Sequence, residues 1–229
     1  QRSTADIAAI QKRLQGINHH MLHFLENHDE QRIASKAFAG GPWKALPAMV
    51  ISATIDQGPV MIYFGQEVGE PGLGTEGFQG DDGRTTVFDY WGVPEHQKWM
   101  NEGKFDGGKL SNEQKQLRRF YTELLTFLST SRAVSAGGYL DITGHNLSNG
   151  NFPHQVHAFL RFYENERLLI LNGFNREPLD IKVQIPYDAF IQMGLDPETA
   201  YIARDMLWRE VEVGLDKEHS FGLHLKPFS

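Results

Sequence analysis

One short segment carries residue types that could perform chemistry. Residues 24–29 have the sequence FLENHD, and Arg32 follows three residues later. A carboxylate beside a histidine and an arginine suits sugar chemistry, because a fixed negative charge stabilises an oxocarbenium-like transition state or holds hydroxyl groups. The alternative is a polar turn whose Asp29–Arg32 pair caps the next helix. Composition alone leaves both interpretations open and favours the structural one.

The elements around this segment predict a parallel sheet. Residues 21–27 have the apolar character of a strand that ends in the polar turn 27–30. Residues 45–55 are small and apolar, as in a buried helix, and Gly58-Pro59 ends it. Residues 60–64 are continuously apolar, which is typical of a strand covered on both faces. Strand, helix and strand with short links form a βαβ unit, and ligands bind at the carboxyl ends of such strands.

The second half of the chain predicts a different architecture. A clear helix begins after Ser111, and its apolar stripe continues to Leu128. From about residue 131, turn signals alternate with short strands over residues 156–162, 168–172, 180–185, 201–206, 210–213 and 222–225. Such a run of short strands indicates an antiparallel β-domain. We therefore predict two domains, residues 1–132 of α/β type and residues 133–229 all-β.

Composition excludes several classes of function. The 229 residues include no cysteine, so disulfides, thiol nucleophiles and cysteine metal sites are absent. The net charge of −7 is spread along the chain, which argues against a nucleic-acid partner. No apolar run approaches the length of a membrane span. We expect a soluble protein, and the sequence leaves open whether it is secreted or periplasmic.

Other motifs are weaker. Residues 72–77 fit the pattern GxGxxG, but no helix follows directly, so a flexible loop is expected rather than a phosphate site. The sequence Asp81-Asp82-Gly83 lacks the alternating ligands of a calcium loop. The neighbouring histidines at 19, 20 and 23 lie on a turn and a strand and do not predict a metal site. Four aromatic residues in one loop either pack the loop or contact a sugar: Phe88, Tyr90, Trp91 and Trp99.

The segment 24–29 with Arg32 resembles the late conserved motif of the α-amylase family of glycoside hydrolases, at the end of the seventh barrel strand. Residues 58–67, with the sequence GPVMIYFGQE, resemble the eighth strand of that family, one helix later. Arg84 in the sequence DGRTT resembles part of the loop that follows. This resemblance covers about residues 17–132, and it implies a partial (β/α)8 TIM barrel, the last two strands and helices, followed by an antiparallel β-sandwich.

The resemblance also implies roles for individual residues. Asp29 would be the catalytic carboxylate that stabilises the transition state, and His28 would hydrogen-bond the same sugar. Arg32 would orient Asp29 or line the site, and Asn27 and Arg84 would bind substrate. The ligand would be an α-glucan oligosaccharide. No cofactor is implied with certainty, although relatives often bind calcium, and no metal ligand can be assigned here.

The family's nucleophile and general acid lie on earlier strands that have no counterpart in this sequence. A retaining mechanism needs both, about 5 Å apart. We therefore expect a C-terminal fragment that is inactive alone, while its parent hydrolyses α-glucans. Exposed barrel edges would favour a homo-oligomer. Three alternatives stay open: a fragment of an α-glucan transglycosylase, a non-catalytic carbohydrate-binding or interaction module, and a non-enzymatic relative that keeps the fold. The combination of His28, Asp29 and Arg32 argues against the last.

Overall fold

The computed structural model describes residues 3–74, 80–88, 93–207 and 211–229. The α-helices of these residues are α1 (Ala5–Arg13), α2 (Leu46–Thr54), α3 (Pro94–Met100), α4 (Asn112–Thr130), α5 (Arg132–Ser135), α6 (Thr143–Ser148) and α7 (Tyr187–Gln192). The strands are β1 (Gly138–Asp141), β2 (Val156–Tyr163), β3 (Glu166–Gly173), β4 (Leu179–Val183), β5 (Tyr201–Arg204), β6 (Glu212–Leu215) and β7 (Phe221–Leu225).

The described residues group into two compact units. One unit, the β-unit, consists of the described residues within 3–21, 54–58 and 128–229, and the other, the strand-end unit, consists of those within 22–53 and 59–127. The predicted domains at 1–132 and 133–229 remain a prediction, since compactness alone does not define a domain that folds independently.

The β-unit contains three small antiparallel sheets, ordered β1-β2-β3, β4-β7 and β5-β6. The hairpin β2–β3 pairs Val156 with Gly173 at one end and Tyr163 with Glu166 at the other. Strand β4 alternates exposed and buried residues, as a strand with one wet face must. The core includes Val156, Ala158 and Leu160 of β2 together with the buried residues of β4 and α7. Antiparallel β-structure is therefore confirmed for this half of the chain.

Strand β2 is buried along both faces, and Arg161 lies on the face opposite Leu160. Its guanidinium donates from Nε to Ala133 O at 3.1 Å, from Nη1 to Ile55 O at 3.1 Å, and from Nη2 to Val134 O at 2.6 Å. Burial lowers the pKa of Arg161 to about 10, so the side chain stays charged near neutral pH. One cation thus satisfies three main-chain carbonyls.

In the strand-end unit, the two predicted strands form a single parallel bridge between His23 and Val60. His23 N donates to Pro59 O at 2.8 Å, and Met61 N donates to His23 O at 2.8 Å. Helix α2 lies between the two segments in the chain, as a βαβ unit requires. Among the described residues, this bridge is the only parallel pairing, so these residues form no closed barrel.

Helix α4 presents a buried stripe of Leu117, Phe120, Tyr121 and Leu124, which confirms the predicted helix. The buried amide of Gln66 joins it to other elements, because Nε2 lies 3.1 Å from Tyr121 Oη and 3.4 Å from Met49 Sδ of α2. This contact fixes the chain directly after the second bridged segment. Within the described residues, no helix combines the length and apolar character needed to cross a membrane.

Candidate active site

The turn after the first bridged segment places Asn27, His28 and Asp29 together. Asn27 Oδ1 accepts hydrogen bonds from the backbone N–H groups of Asp29 at 2.8 Å and Glu30 at 3.0 Å, which fixes the turn. His28 Nε2 lies 3.4 Å from Asp29 Oδ2. The side chains of His28 and Asp29 are 52% and 71% exposed. The predicted catalytic carboxylate is therefore accessible to a ligand.

Arg32 lies in the interior, beside Glu26. It is fully buried, and its Nη1 donates to Glu26 Oε1 at 2.7 Å. The other carboxylate oxygen of Glu26 accepts from Ile33 N at 2.6 Å. Among the described residues, Arg32 makes no hydrogen bond or ion pair with Asp29. Glu26, rather than Asp29, is thus the carboxylate that holds this guanidinium.

Two aromatic rings lie against the Glu26–Arg32 pair. The guanidinium carbon of Arg32 lies 4.2 Å from the centre of the Tyr63 ring and 5.2 Å from that of Phe64, which allows cation–π attraction. Burial raises the pKa of Glu26 above its ordinary value, although the charge of Arg32 opposes this shift. Arg32 Nη2 is buried and has no partner among the described residues.

Arg32 also holds the loop formed by residues 82–86. Its backbone N–H donates to Gly83 O at 2.6 Å, and its Nε donates to Thr85 Oγ1 at 2.8 Å. Tyr63 Oη donates to Thr85 O at 3.4 Å. A Cβ at Gly83 would lie 2.8 Å from the side chain of Ser35. The loop is therefore packed directly against the residues that follow the turn.

Arg84 lies in this loop and is half-buried. Its backbone N–H donates to Asp82 Oδ1 at 3.0 Å, and its Nη1 lies 3.9 Å from Asp82 Oδ2. The Nε atom of Arg84 is buried and unpartnered among the described residues. The loop thus carries one cation and one carboxylate, and Arg32 links it to the turn of Asp29.

A second buried carboxylate supports the neighbouring loop. Glu70 accepts from Gly72 N at 3.1 Å through Oε1 and from Glu95 N, at the start of α3, at 2.9 Å through Oε2. Helix α3 then presents His96, whose ring lies 5.4 Å from that of Phe64. Burial lowers the pKa of His96. Glu70 therefore joins the loop after the second bridged segment to the start of α3.

Sequence reasoning assigned no role to Glu26 and Glu70. Both carboxylates are almost completely buried. A signal for Glu26 was present, because a glutamate directly before a polar turn and an arginine directly after it can pair across that turn. No comparable signal marks Glu70, whose partners are the backbone N–H of Gly72, two residues later, and that of Glu95 in a distant segment.

The weaker motifs bring no site together. Part of the GxGxxG segment, residues 75–77, lies outside the described residues, as do Tyr90 and Trp91. Asp81 Oδ1 accepts from Gly74 N at 3.0 Å. Among the described residues, no group of three or more histidines, aspartates or glutamates could hold a metal ion. Trp99 packs against Phe105 and Arg118, while Phe88 is 75% exposed.

Comparison with known proteins supports the fold. No protein-family model matches the sequence, and no curated protein matches it. The structure is similar to the maltogenic α-amylase AmyB from Thermotoga neapolitana, with a TM-score of 0.59 and 14% identity over 97% of this chain and 43% of that chain. It is similar to AmyP, solved in complex with maltose, with a TM-score of 0.62 and 17% identity over 97% of this chain and 42% of that chain.

The trehalulose synthase MutB is a third similar structure. Its TM-score is 0.59, with 16% identity over 100% of this chain and 46% of that chain. The resemblance to α-amylase family glycoside hydrolases is thereby confirmed at the level of the fold. This chain spans less than half the length of each of these three enzymes.

Proposed function

We propose that this chain is the C-terminal part of a retaining glycoside hydrolase of the α-amylase type, acting on α-glucosidic bonds of starch or maltooligosaccharides. Residues 1–132 would end a (β/α)8 barrel, and residues 133–229 would form its β-sandwich domain. The parallel bridge with one intervening helix supports this placement. So does the similarity in fold to α-amylases that are more than twice as long.

One observation carries the proposed chemistry: the Asp29 carboxylate is exposed on a fixed turn that directly follows a parallel-bridged segment. A fixed anion near a developing oxocarbenium ion stabilises it by about 4 kcal/mol at 4 Å, for an effective dielectric constant of 20. His28, 3.4 Å from Asp29, would donate to sugar hydroxyls. Asn27 would hold the turn, and Arg84 would contact the substrate from the neighbouring loop.

The nucleophile and the general acid would come from other strands of the same barrel. Retaining hydrolysis needs both carboxyl groups on opposite sides of the scissile bond. The isolated 229-residue chain should therefore show no glucan hydrolysis. Calcium would bind, if at all, through residues of the longer protein.

The test is Asp29→Asn in the intact protein that carries this chain, with Glu30→Gln as the matched control. Glu30 is an exposed carboxylate in the same turn, and its backbone N–H also bonds Asn27. We expect Asp29→Asn to lower kcat on maltooligosaccharides by about a thousandfold, from the Coulomb energy above, and Glu30→Gln to lower it less than threefold. Equal effects of the two substitutions would refute the assigned role.

A transglycosylase is a second candidate, because the fold is as similar to that of trehalulose synthase MutB as to that of the α-amylase AmyB. Asp29 would stabilise the same transition state in both reactions, so product analysis must separate them. Transfer products formed from a disaccharide at low acceptor concentration would identify a transglycosylase. Free monosaccharide alone would identify a hydrolase.

Association of the isolated chain through the open side of the first bridged segment is a further part of the proposal. Leu22 and Phe24 are 48% and 39% exposed there, and unpaired strand edges with apolar side chains promote association. Light scattering of the isolated chain should show a dimer or a larger species. A monodisperse monomer would contradict this expectation.

A further inference from the structure

The geometry points to a positioning role for the buried pair of Glu26 and Arg32, and Glu26 had no role among the sequence-predicted site residues. We propose that this buried pair sets the position of the Asp29 turn relative to the loop of residues 82–86, so that Asp29 and Arg84 face the same sugar. The inference rests on the proposed function of Asp29. Neither Glu26 nor Arg32 would touch the substrate.

The pair closes the turn from both ends. Glu26 precedes the turn and Arg32 follows it, and their side chains meet at 2.7 Å with both fully buried. The second oxygen of Glu26 holds Ile33 N at 2.6 Å. Because both ends are fixed by buried, charge-assisted hydrogen bonds, the path of the chain between them is restricted.

The same arginine extends this restraint to the neighbouring loop. Arg32 reaches Gly83 through its backbone N–H at 2.6 Å and Thr85 through Nε at 2.8 Å. Gly83 also packs closely against the segment after the turn, because an added Cβ there would lie only 2.8 Å from the side chain of Ser35. Turn and loop are thus joined by one rigid guanidinium whose donors point in fixed directions.

The buried ion pair can align two segments of the chain, which apolar side chains in the same place could not do. Two apolar side chains of similar volume would often stabilise a protein as well as a buried ion pair does. A guanidinium, however, aligns two segments through directional hydrogen bonds, and a misplacement of about 1 Å at a reacting group can cost about a hundredfold in rate. The pair therefore suits positioning more than stability.

Thr85 allows a test that leaves both charges in place. Thr85→Val removes the hydroxyl that accepts from Arg32 Nε at nearly constant volume, and Thr85→Ser restores it. Thr122→Val on α4 is the control for replacing a threonine by a valine. Thr122 is exposed, and its hydroxyl donates to Arg118 O of the same helix. Hydrogen exchange would be measured in the intact protein over residues 26–36 and 80–88, together with kcat and KM for a maltooligosaccharide.

In Thr85→Val we expect exchange at least tenfold faster in both segments, including the amide of Arg32, and slow exchange again in Thr85→Ser. Thr122→Val should leave both segments unchanged. We expect kcat to fall at least tenfold while KM changes less than threefold. If Thr85→Val does not fold, Tyr63→Phe serves instead, since it removes only the bond to Thr85 O, and about threefold faster exchange in both segments is expected.

Faster exchange confined to residues 80–88, or no change in either segment, would overturn the proposed coupling. Faster exchange in both segments with an unchanged kcat would overturn the positioning role. An intact wild-type protein without activity on any α-glucan would instead refute the proposed function, and the exchange measurement alone would then decide whether the pair couples turn and loop.

Discussion

The substitution Glu26→Ala tests the buried ion pair most directly. It leaves the guanidinium of Arg32, which is fully buried, without its anionic partner, and it removes the acceptor of Ile33 N. Breaking a buried pair from one side costs about 3–5 kcal/mol, and an unsatisfied buried N–H costs about 1–3 kcal/mol. Because these contributions overlap, we expect a loss of about 4 kcal/mol in the free energy of unfolding.

Glu26→Gln keeps the shape and one acceptor, so a smaller loss of about 2 kcal/mol is expected. Urea unfolding followed by circular dichroism measures both values, with Glu30→Ala as the exposed control at about 0.5 kcal/mol or less. If Glu26→Ala costs no more than Glu30→Ala, the pair is not buried as described. The pair would then not hold the turn rigid.

The carboxyl of Glu26 also gives the stability a pH dependence. Its pKa is raised by burial, so the folded state binds the proton more tightly than the unfolded state. The stability of the wild type relative to Glu26→Gln should therefore fall as the pH rises above the unfolded pKa of about 4.3. A difference that grows in the opposite direction would show that the charge of Arg32 outweighs burial.

Three further substitutions test other features of the structure. Gly83→Ala should lower the free energy of unfolding by about 2 kcal/mol more than Gly80→Ala, as measured by thermal melts. Both glycines have about the same positive φ, but only the Cβ added at Gly83 would clash with neighbouring atoms. Arg161→Ala should cost about 3 kcal/mol or more, and exposed Arg204→Ala about 1 kcal/mol or less, in urea unfolding. Burial lowers the folded pKa of His96, so the wild type should lose stability as the pH falls below about 6.5. His96→Gln should lack this loss in urea unfolding over the same pH range.

The sequence predicts regular elements best where local pattern and burial agree. The alternation and turn signals of the second half predict β2 and β3 within two residues at each end, and the apolar stripe predicts α4. Leu125, which lies within the predicted helix, is 40% exposed. The short helices α6 and α7 escape such prediction, because six residues are too few to show a helical period.

Strand pairing was harder to predict than strand character. Residues 21–27 and 60–64 have the composition of buried strands, yet they share one parallel bridge. The composition of a segment indicates whether it can be buried. A ladder of backbone hydrogen bonds also requires a neighbouring strand at the correct distance. The partial barrel therefore stays a proposal.

The candidate site was predictable in its exposed part only. The sequence brings Asn27, His28 and Asp29 together because they are adjacent, and the structure places them on one turn. The partner of Arg32 was not predictable from spacing alone, since Asp29 at three residues and Glu26 at six are both within reach. Burial decides between them, because Glu26 is enclosed with the guanidinium while Asp29 remains in water.

The single parallel bridge has a mechanical consequence. Two main-chain hydrogen bonds join the His23 and Val60 segments, so little backbone ladder resists their separation. Local opening at this point should require much less free energy than unfolding of the hairpin β2–β3, which has eight residue pairs. The stiffness of the Asp29 turn must then come from side chains. Single substitutions can therefore change this stiffness, whereas a long ladder of backbone hydrogen bonds would resist such a change.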